Sequence, residues 1–247
     1  MWPAEVPWFA AAVLLVAILS GATASVVGFG IGSLLTPLLA LRYGTSTAVA
    51  AVTIPHAIAT AVRCWRLRPH IDRAVLRRFG ILSAVGGLAG ALLYTRLGSG
   101  LLTRILGGLL LLTATAQLTG WSSRWHPRGP IVALLGLASG FFGGVAGNQG
   151  GLRAAALSAF GLAPAAFVAT ATATGLLVDA ARTPVYLWNG ARGLLPLWPM
   201  LLVAVAGVLI GTLMGEHLLL GLPVRRFGQI VGAAVGVLGL WLLFGVG

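Results

Sequence analysis

The chain alternates long apolar stretches with short polar interruptions. Apolar runs cover roughly 8–27, 46–62, 74–95, 101–119, 130–146, 164–181, 194–215 and 227–246. Each approaches the length of about 20 residues that a helix needs to cross a hydrocarbon core about 30 Å thick. Two further apolar pieces, 31–41 and 151–160, are too brief to span. Each follows a Gly-rich break, "GFGIGS" (28–33) or "GNQGG" (147–151). Glycine turns sharply at little steric cost, and irregular backbone at membrane depth is tolerated only against protein or a watery cavity. The pattern therefore predicts an all-α polytopic membrane protein with two re-entrant half-helices. The alternating segments of about ten residues that mark a transmembrane barrel are absent.

The pattern also repeats. At an offset of 117, Gly30 meets Gly147, Gly44 meets Gly161 and Thr53 meets Thr170. At an offset of 121, Gly86 meets Gly207, Gly90 meets Gly211, Arg104 meets Arg225 and Gly107 meets Gly228. One membrane domain, 1–247, then holds repeat 1 at about 8–119 and repeat 2 at about 130–246. Paired broken segments in two halves are the sequence pointer to a transporter's binding site.

Charge bears on how the repeats are oriented. The stretch "RCWRLRPHIDRAVLRR" (63–78) carries six Arg, whereas its counterpart "RTPVYLWNGAR" (182–192) carries two. Equivalent loops with unequal positive charge point to opposite sides of the membrane, the richer one cytoplasmic. Inversion then also places Arg124, Arg128, Arg225 and Arg226 inside. It requires each first helix and its half-helix to form a hairpin returning to its own side. Parallel repeats with four crossings each remain the alternative.

Composition agrees with a membrane chain. The protein is 58% hydrophobic and 8% charged, against about a quarter charged in soluble domains. The net charge of +12 comes from sixteen Arg, no Lys and four acids. In a soluble protein that balance suggests nucleic acid. Here the Arg flank apolar runs, so the expected partner is the lipid bilayer and no nucleic acid. The lone Cys64 excludes an internal disulfide and a multi-Cys metal site. "GATAS" after the first run faintly resembles a cleavage site. The leading segment lacks Lys and Arg and contains Glu5, so a retained helix is expected. Trp8, Trp65, Trp121, Trp125, Trp188 and Trp198 fall near span ends, as interfacial anchors do.

These features in order resemble the TauE/SafE family of membrane transporters, known as sulfite exporters. Each repeat opens with a Gly-rich broken helix, followed by "GTSTAVAA" (44–51) or "FVATATAT" (167–174). "GGLAGALL" (86–93) and "GVLIGTLM" (207–214) recur late in each repeat. The resemblance covers essentially the whole chain. It implies a secondary carrier of sulfur-containing oxyanions or organosulfonates, of the sulfite, thiosulfate and sulfoacetate class, in the bacterial inner membrane. Where the family carries a motif like "GIGGGFLLVP", this chain has "GNQGGLRAAA", with polar residues and an Arg.

Half-helix N-termini offer unpaired N–H groups and partial positive charge, which suit an anion. The candidate substrate-binding residues are accordingly Gly30, Gly32 and Ser33 at one break, and Asn148, Gln149, Gly150, Gly151 and Arg153 at the other. Arg153 is costly at membrane depth and so a functional candidate; snorkelling to the interface is its bland alternative. Asp179 and Arg182 stand three apart and can meet on one helix face. Asp179 is read as a structural ion-pair partner, a proton carrier or a clamp on Arg153. His56 follows Pro55, which breaks or kinks its helix, and is either a satisfied polar residue or a proton relay. Thr53, Thr170, Thr172 and Arg182 are candidate cavity-lining residues. "GGLAG" (86–90) and "GVLIG" (207–211) read as helix-packing seams. No nucleophile elbow, P-loop or metal-ligand cluster appears, so neither enzyme chemistry nor a cofactor nor a metal is expected. An anion channel and a membrane scaffold remain alternatives to a carrier. Association into a homo-oligomer is left open.

Overall fold

The computed structural model of the chain describes residues 7–120, 127, 129–218 and 224–245. Trp121, Arg124, Trp125, Arg128 and the segment 219–223 lie outside the described residues, as does the side chain of Arg225. The described chain is helical between short connections. Its elements are α1 (Pro7–Val27), α2 (Ile31–Tyr43), α3 (Thr45–Leu67), α4 (Arg73–Tyr94), α5 (Ser99–Thr119), α6 (Pro130–Ala146), α7 (Gly150–Ser158), α8 (Pro164–Leu194), α9 (Trp198–Leu218) and α10 (Val224–Phe244). Among the described residues, six helices are long and apolar enough to cross a membrane, and this is a multi-pass membrane protein. The helix α6, at 17 residues, and the apolar part of α10, Gly228–Phe244, fall below the expected span length.

The two short apolar pieces form separate helices. Helix α2 has 13 residues and α7 has 9. At 1.5 Å per residue they reach about 20 Å and about 14 Å, less than the hydrocarbon thickness.

Helix contacts cross between the two halves. The expected Gly seams are the tightest of them. Gly86 and Gly90 of α4 lie on the backbone of Leu137 and Phe141 of α6, while Gly207 and Gly211 of α9 lie on Leu14 and Ile18 of α1. In both pairs the residue numbers rise together, so α1 runs parallel to α9 and α4 parallel to α6. The other two pairs are antiparallel. Gly107 of α5 meets Gly239 of α10, while Gly232 of α10 meets Gln117 and Ala114 of α5. His56 of α3 bonds Asp179 of α8, and Arg63 bonds Thr172.

Three expectations are corrected. The stretch 182–192 is not a loop: α8 continues to Leu194, with Pro184 inside it. The Arg-rich stretch 63–78 is a loop only around 68–72, because α3 runs to Leu67 and α4 starts at Arg73. Pro55 does not break α3. For the two Arg-bearing stretches, contacts within α8 and between α3 and α8 hold polar residues inside helices whose composition suggested an end. Arg182 is paired to Asp179, Arg63 to Thr172, and Asn189 to the carbonyl of Val185. The Trp positions fit the membrane reading, since Trp8, Trp65, Trp188 and Trp198 are all exposed near helix ends.

Candidate functional site

The two Gly-rich breaks meet in the protein interior. Gly30, at φ 144°, starts α2, and Gly147, at φ 70°, ends α6. Both angles lie where a side chain is strained. Gly32 approaches so closely that an added Cβ would collide with the Gly147 carbonyl oxygen. Across this contact Ser33 Oγ donates to Asn148 Oδ1 at 3.2 Å. No side chain caps the N-terminus of α2 or of α7. Their first N–H groups are therefore left without intrahelical partners.

A small polar cavity sits at the crossing. It is lined by Phe29, Gly30, Gly32, Ser33, His56, Gly147, Asn148, Gln149, Gly150 and Arg153, with about 10 Å³ of room. That suffices for about one water. The lining joins residues from both breaks and from α3, which are far apart in sequence. Among its buried side-chain atoms, Asn148 Nδ2, Gln149 Nε2, Arg153 Nε and Arg153 Nη2 are donors without a protein partner. Asn148 and Arg153 are only 2% and 3% exposed. A buried donor with no acceptor is costly unless something else occupies the site. Arg153 reaches inward, where its Nη1 donates to the Ala171 carbonyl at 3.0 Å, and it does not run to the interface.

Beside the cavity lies an ionic chain. Arg182 Nε donates to Asp179 Oδ1 at 3.0 Å, and Nη2 approaches the same oxygen at 2.8 Å. Asp179 Oδ2 accepts from His56 Nδ1 at 2.6 Å. Arg182 Nη1 also donates to the Gly143 carbonyl, and Tyr186 donates its hydroxyl to the Gly144 carbonyl. These two bonds tie α8 to the end of α6, just before the break. Asp179 thus pairs with Arg182 and His56, and no hydrogen bond joins it to Arg153. Among the described residues the buried charged side chains are Arg63, Arg153, Arg182 and Asp179. Three guanidiniums against one carboxylate leave two positive charges uncompensated in an apolar interior. Such charges are expensive without a counter-ion.

A model of the sulfite exporter TauE/SafE family matches residues 13–242 of the chain. The chain belongs to that family. No curated protein and no solved structure matches it. The TauE/SafE family consists of membrane transporters for sulfur anions, which accords with an interior short of negative charge.

The remaining candidates in this TauE/SafE chain lie elsewhere. Gly151 faces α5, where a Cβ would touch Thr113 Oγ1 at 2.7 Å. Thr53 bonds its own helix at the Val49 carbonyl, Thr170 accepts from the Asp72 amide, and Thr172 accepts from Arg63. None of these threonines lines the small cavity. Sequence reasoning missed Arg63 and Phe29. Arg63 is seven residues beyond His56, two turns along one helix face, and extending α3 by five residues brings it into view. Phe29 had no signal beyond its place inside the first break. It lines both the small cavity and a larger chamber of about 260 Å³ bounded by Val27, Thr113, Gln117, Gly151 and Phe167.

Proposed function

We propose that the protein is a secondary carrier of small sulfur-containing oxyanions or organosulfonates, the class of sulfite, thiosulfate and sulfoacetate. The anion binds between the N-termini of α2 and α7. The observation that carries this reading is the set of unpartnered buried donors on Asn148, Gln149 and Arg153 around the crossing of the two breaks. A dehydrated oxyanion needs several donors and compensating positive charge. The free N–H groups at the starts of both helices add to the set.

The reading includes two inverted repeats, α1–α5 and α6–α10, with α2 and α7 as re-entrant half-helices. Helix direction supports inversion. A two-fold axis in the membrane plane turns each helix over, so equivalent helices that touch must run antiparallel. The equivalent pairs α3/α8 and α5/α10 do so. An axis along the membrane normal would leave them parallel.

Alternating access fits an asymmetry between the halves. The 260 Å³ chamber lies at the end of α1 and among α5, α7 and the start of α8. In the equivalent place of the other half, Leu34, Ala146, Val235 and Leu238 pack in one apolar cluster. The chamber lies toward the side of the 68–72 turn, because Asp72 bonds Thr170 near the start of α8. The Arg content of that side supports placing it in the cytoplasm, with the carrier read as one of a bacterial inner membrane. A cavity with room for one water must widen when the anion enters, as a carrier's occluded site does.

The test is uptake of labelled sulfite and sulfoacetate into proteoliposomes, with and without the same anion inside. A carrier shows saturable uptake accelerated by counterflow. An anion channel passes label without counterflow, and a scaffold passes none.

A further inference from the structure

Resting on the anion site proposed above, the geometry points to His56 as a proton-binding group that loads together with the anion. Asp179 is held by both nitrogens of Arg182 that face it, so its carboxylate acts as an acceptor. At 2.6 Å from Asp179 Oδ2, His56 Nδ1 must carry the hydrogen of that bond. In a neutral imidazole the other nitrogen is then a bare acceptor. Among the described residues His56 Nε2 has no hydrogen-bond partner, and His56 lines the small cavity with Ser33, Asn148 and Arg153.

An oxyanion cannot rest against this lone pair. Asn148, Gln149 and Arg153 each bring an unpartnered donor to the cavity, whereas the free nitrogen of neutral His56 is an acceptor only. A proton taken from solvent onto Nε2 converts the ring to an imidazolium. Nδ1–H still serves Asp179, and Nε2–H now serves an anion oxygen. Proton and dianion together bring one net negative charge into an interior where, among the described residues, buried guanidiniums outnumber the one carboxylate. When the anion leaves, the proton leaves Nε2 for the same solvent, so the carrier moves both in one direction.

The charged groups facing His56 from other elements are Asp179 and Arg182 of α8 and Arg153 of α7. Arg63 lies two turns along its own helix. Helices α2, α5 and α9, which also pack on α3, bring no titratable group to it among the described residues. His56 is therefore the one group at the cavity whose ordinary titration range includes neutral pH.

The test is isothermal titration of the purified full chain with sulfoacetate, in buffers of differing ionisation enthalpy near pH 8. Its sulfonate and carboxylate stay ionised there, so any proton taken up goes to the protein. The expected result is uptake approaching one proton per bound anion in the wild type, and near zero in His56→Gln, which binds more weakly. As pH rises past the His range, wild-type affinity should fall by up to about tenfold per pH unit. That slope decides the matter even where His56→Gln fails to fold. Wild-type binding without proton uptake, or with affinity flat in pH, overturns the proposal while leaving the anion site standing. Equal uptake in His56→Gln also overturns it, by placing the proton elsewhere. Absence of binding by sulfoacetate, sulfite and thiosulfate alike removes the anion site and this proposal with it.

Discussion

Gly32 of α2 and Gly147 at the end of α6 meet backbone to backbone, and an added Cβ on Gly32 would overlap the Gly147 carbonyl oxygen. The contact sets the distance between the N-termini of the short helices α2 and α7. Gly32→Ala should therefore push the breaks apart and lower stability by about 1–3 kcal/mol, as overpacking does. Thermal unfolding in detergent, together with anion titration, checks this. A fully stable Gly32→Ala protein with wild-type affinity would show that the close approach does not matter.

Topology gives a second prediction. In a Cys64→Ser background, single cysteines at His70 and Ala163 should label from one side, and those at Gly98 and Leu195 from the other. The 68–72 turn and the 195–197 turn are equivalent in the two repeats, so parallel repeats would put them on the same side. Impermeant thiol reagents on intact cells and on inverted vesicles separate the two arrangements.

The ionic chain makes a third. Removing Asp179 strands Arg182, which is 1% exposed, without its carboxylate. Breaking a buried pair by deleting one partner costs about 3–5 kcal/mol, whereas replacing both is much milder. Asp179→Leu should thus be strongly destabilising, and Asp179→Leu with Arg182→Leu less so than Asp179→Leu alone. Unfolding midpoints of the set decide the point, with additive losses counting against a coupled pair.

Phe29 makes a fourth, because it stands between the small cavity and the larger chamber. Phe29→Ala should join the two spaces and weaken discrimination by substrate size. The ratio of bulky to small sulfonate uptake in proteoliposomes should rise. An unchanged ratio would mean that Phe29 packs without gating.

Much of this arrangement was legible in the sequence. The short helices α2 and α7 were visible because a Gly-rich break comes before each of two apolar runs too brief to span a membrane. The pairing of Asp179 with Arg182 was visible because it depends on one helix and a three-residue spacing. The seams at Gly86 and Gly207 were visible for the same local reason. Less legible was whatever depends on partners distant in the chain. Arg63 looked like a loop charge, since nothing nearby in sequence reveals that Thr172 will receive it. His56 meets Asp179 across 123 positions, a relation that local spacing does not encode. Helix direction, which supports inversion, likewise exists only in the packed bundle.

The central claim is that an anion binds at the crossing of the breaks with Arg153 as a donor. Arg153 has two side-chain nitrogens without a protein partner. A charge-assisted contact from them is worth about 1.5–3 kcal/mol. The most direct measurement is isothermal titration of sulfite, thiosulfate and sulfoacetate into wild type, Arg153→Gln and Arg153→Lys, each checked for monodisperse folding. The account predicts roughly ten- to hundredfold weaker binding in Arg153→Gln and partial recovery in Arg153→Lys, whose ammonium lacks the planar fork. Wild-type affinity in a folded Arg153→Gln protein would contradict it.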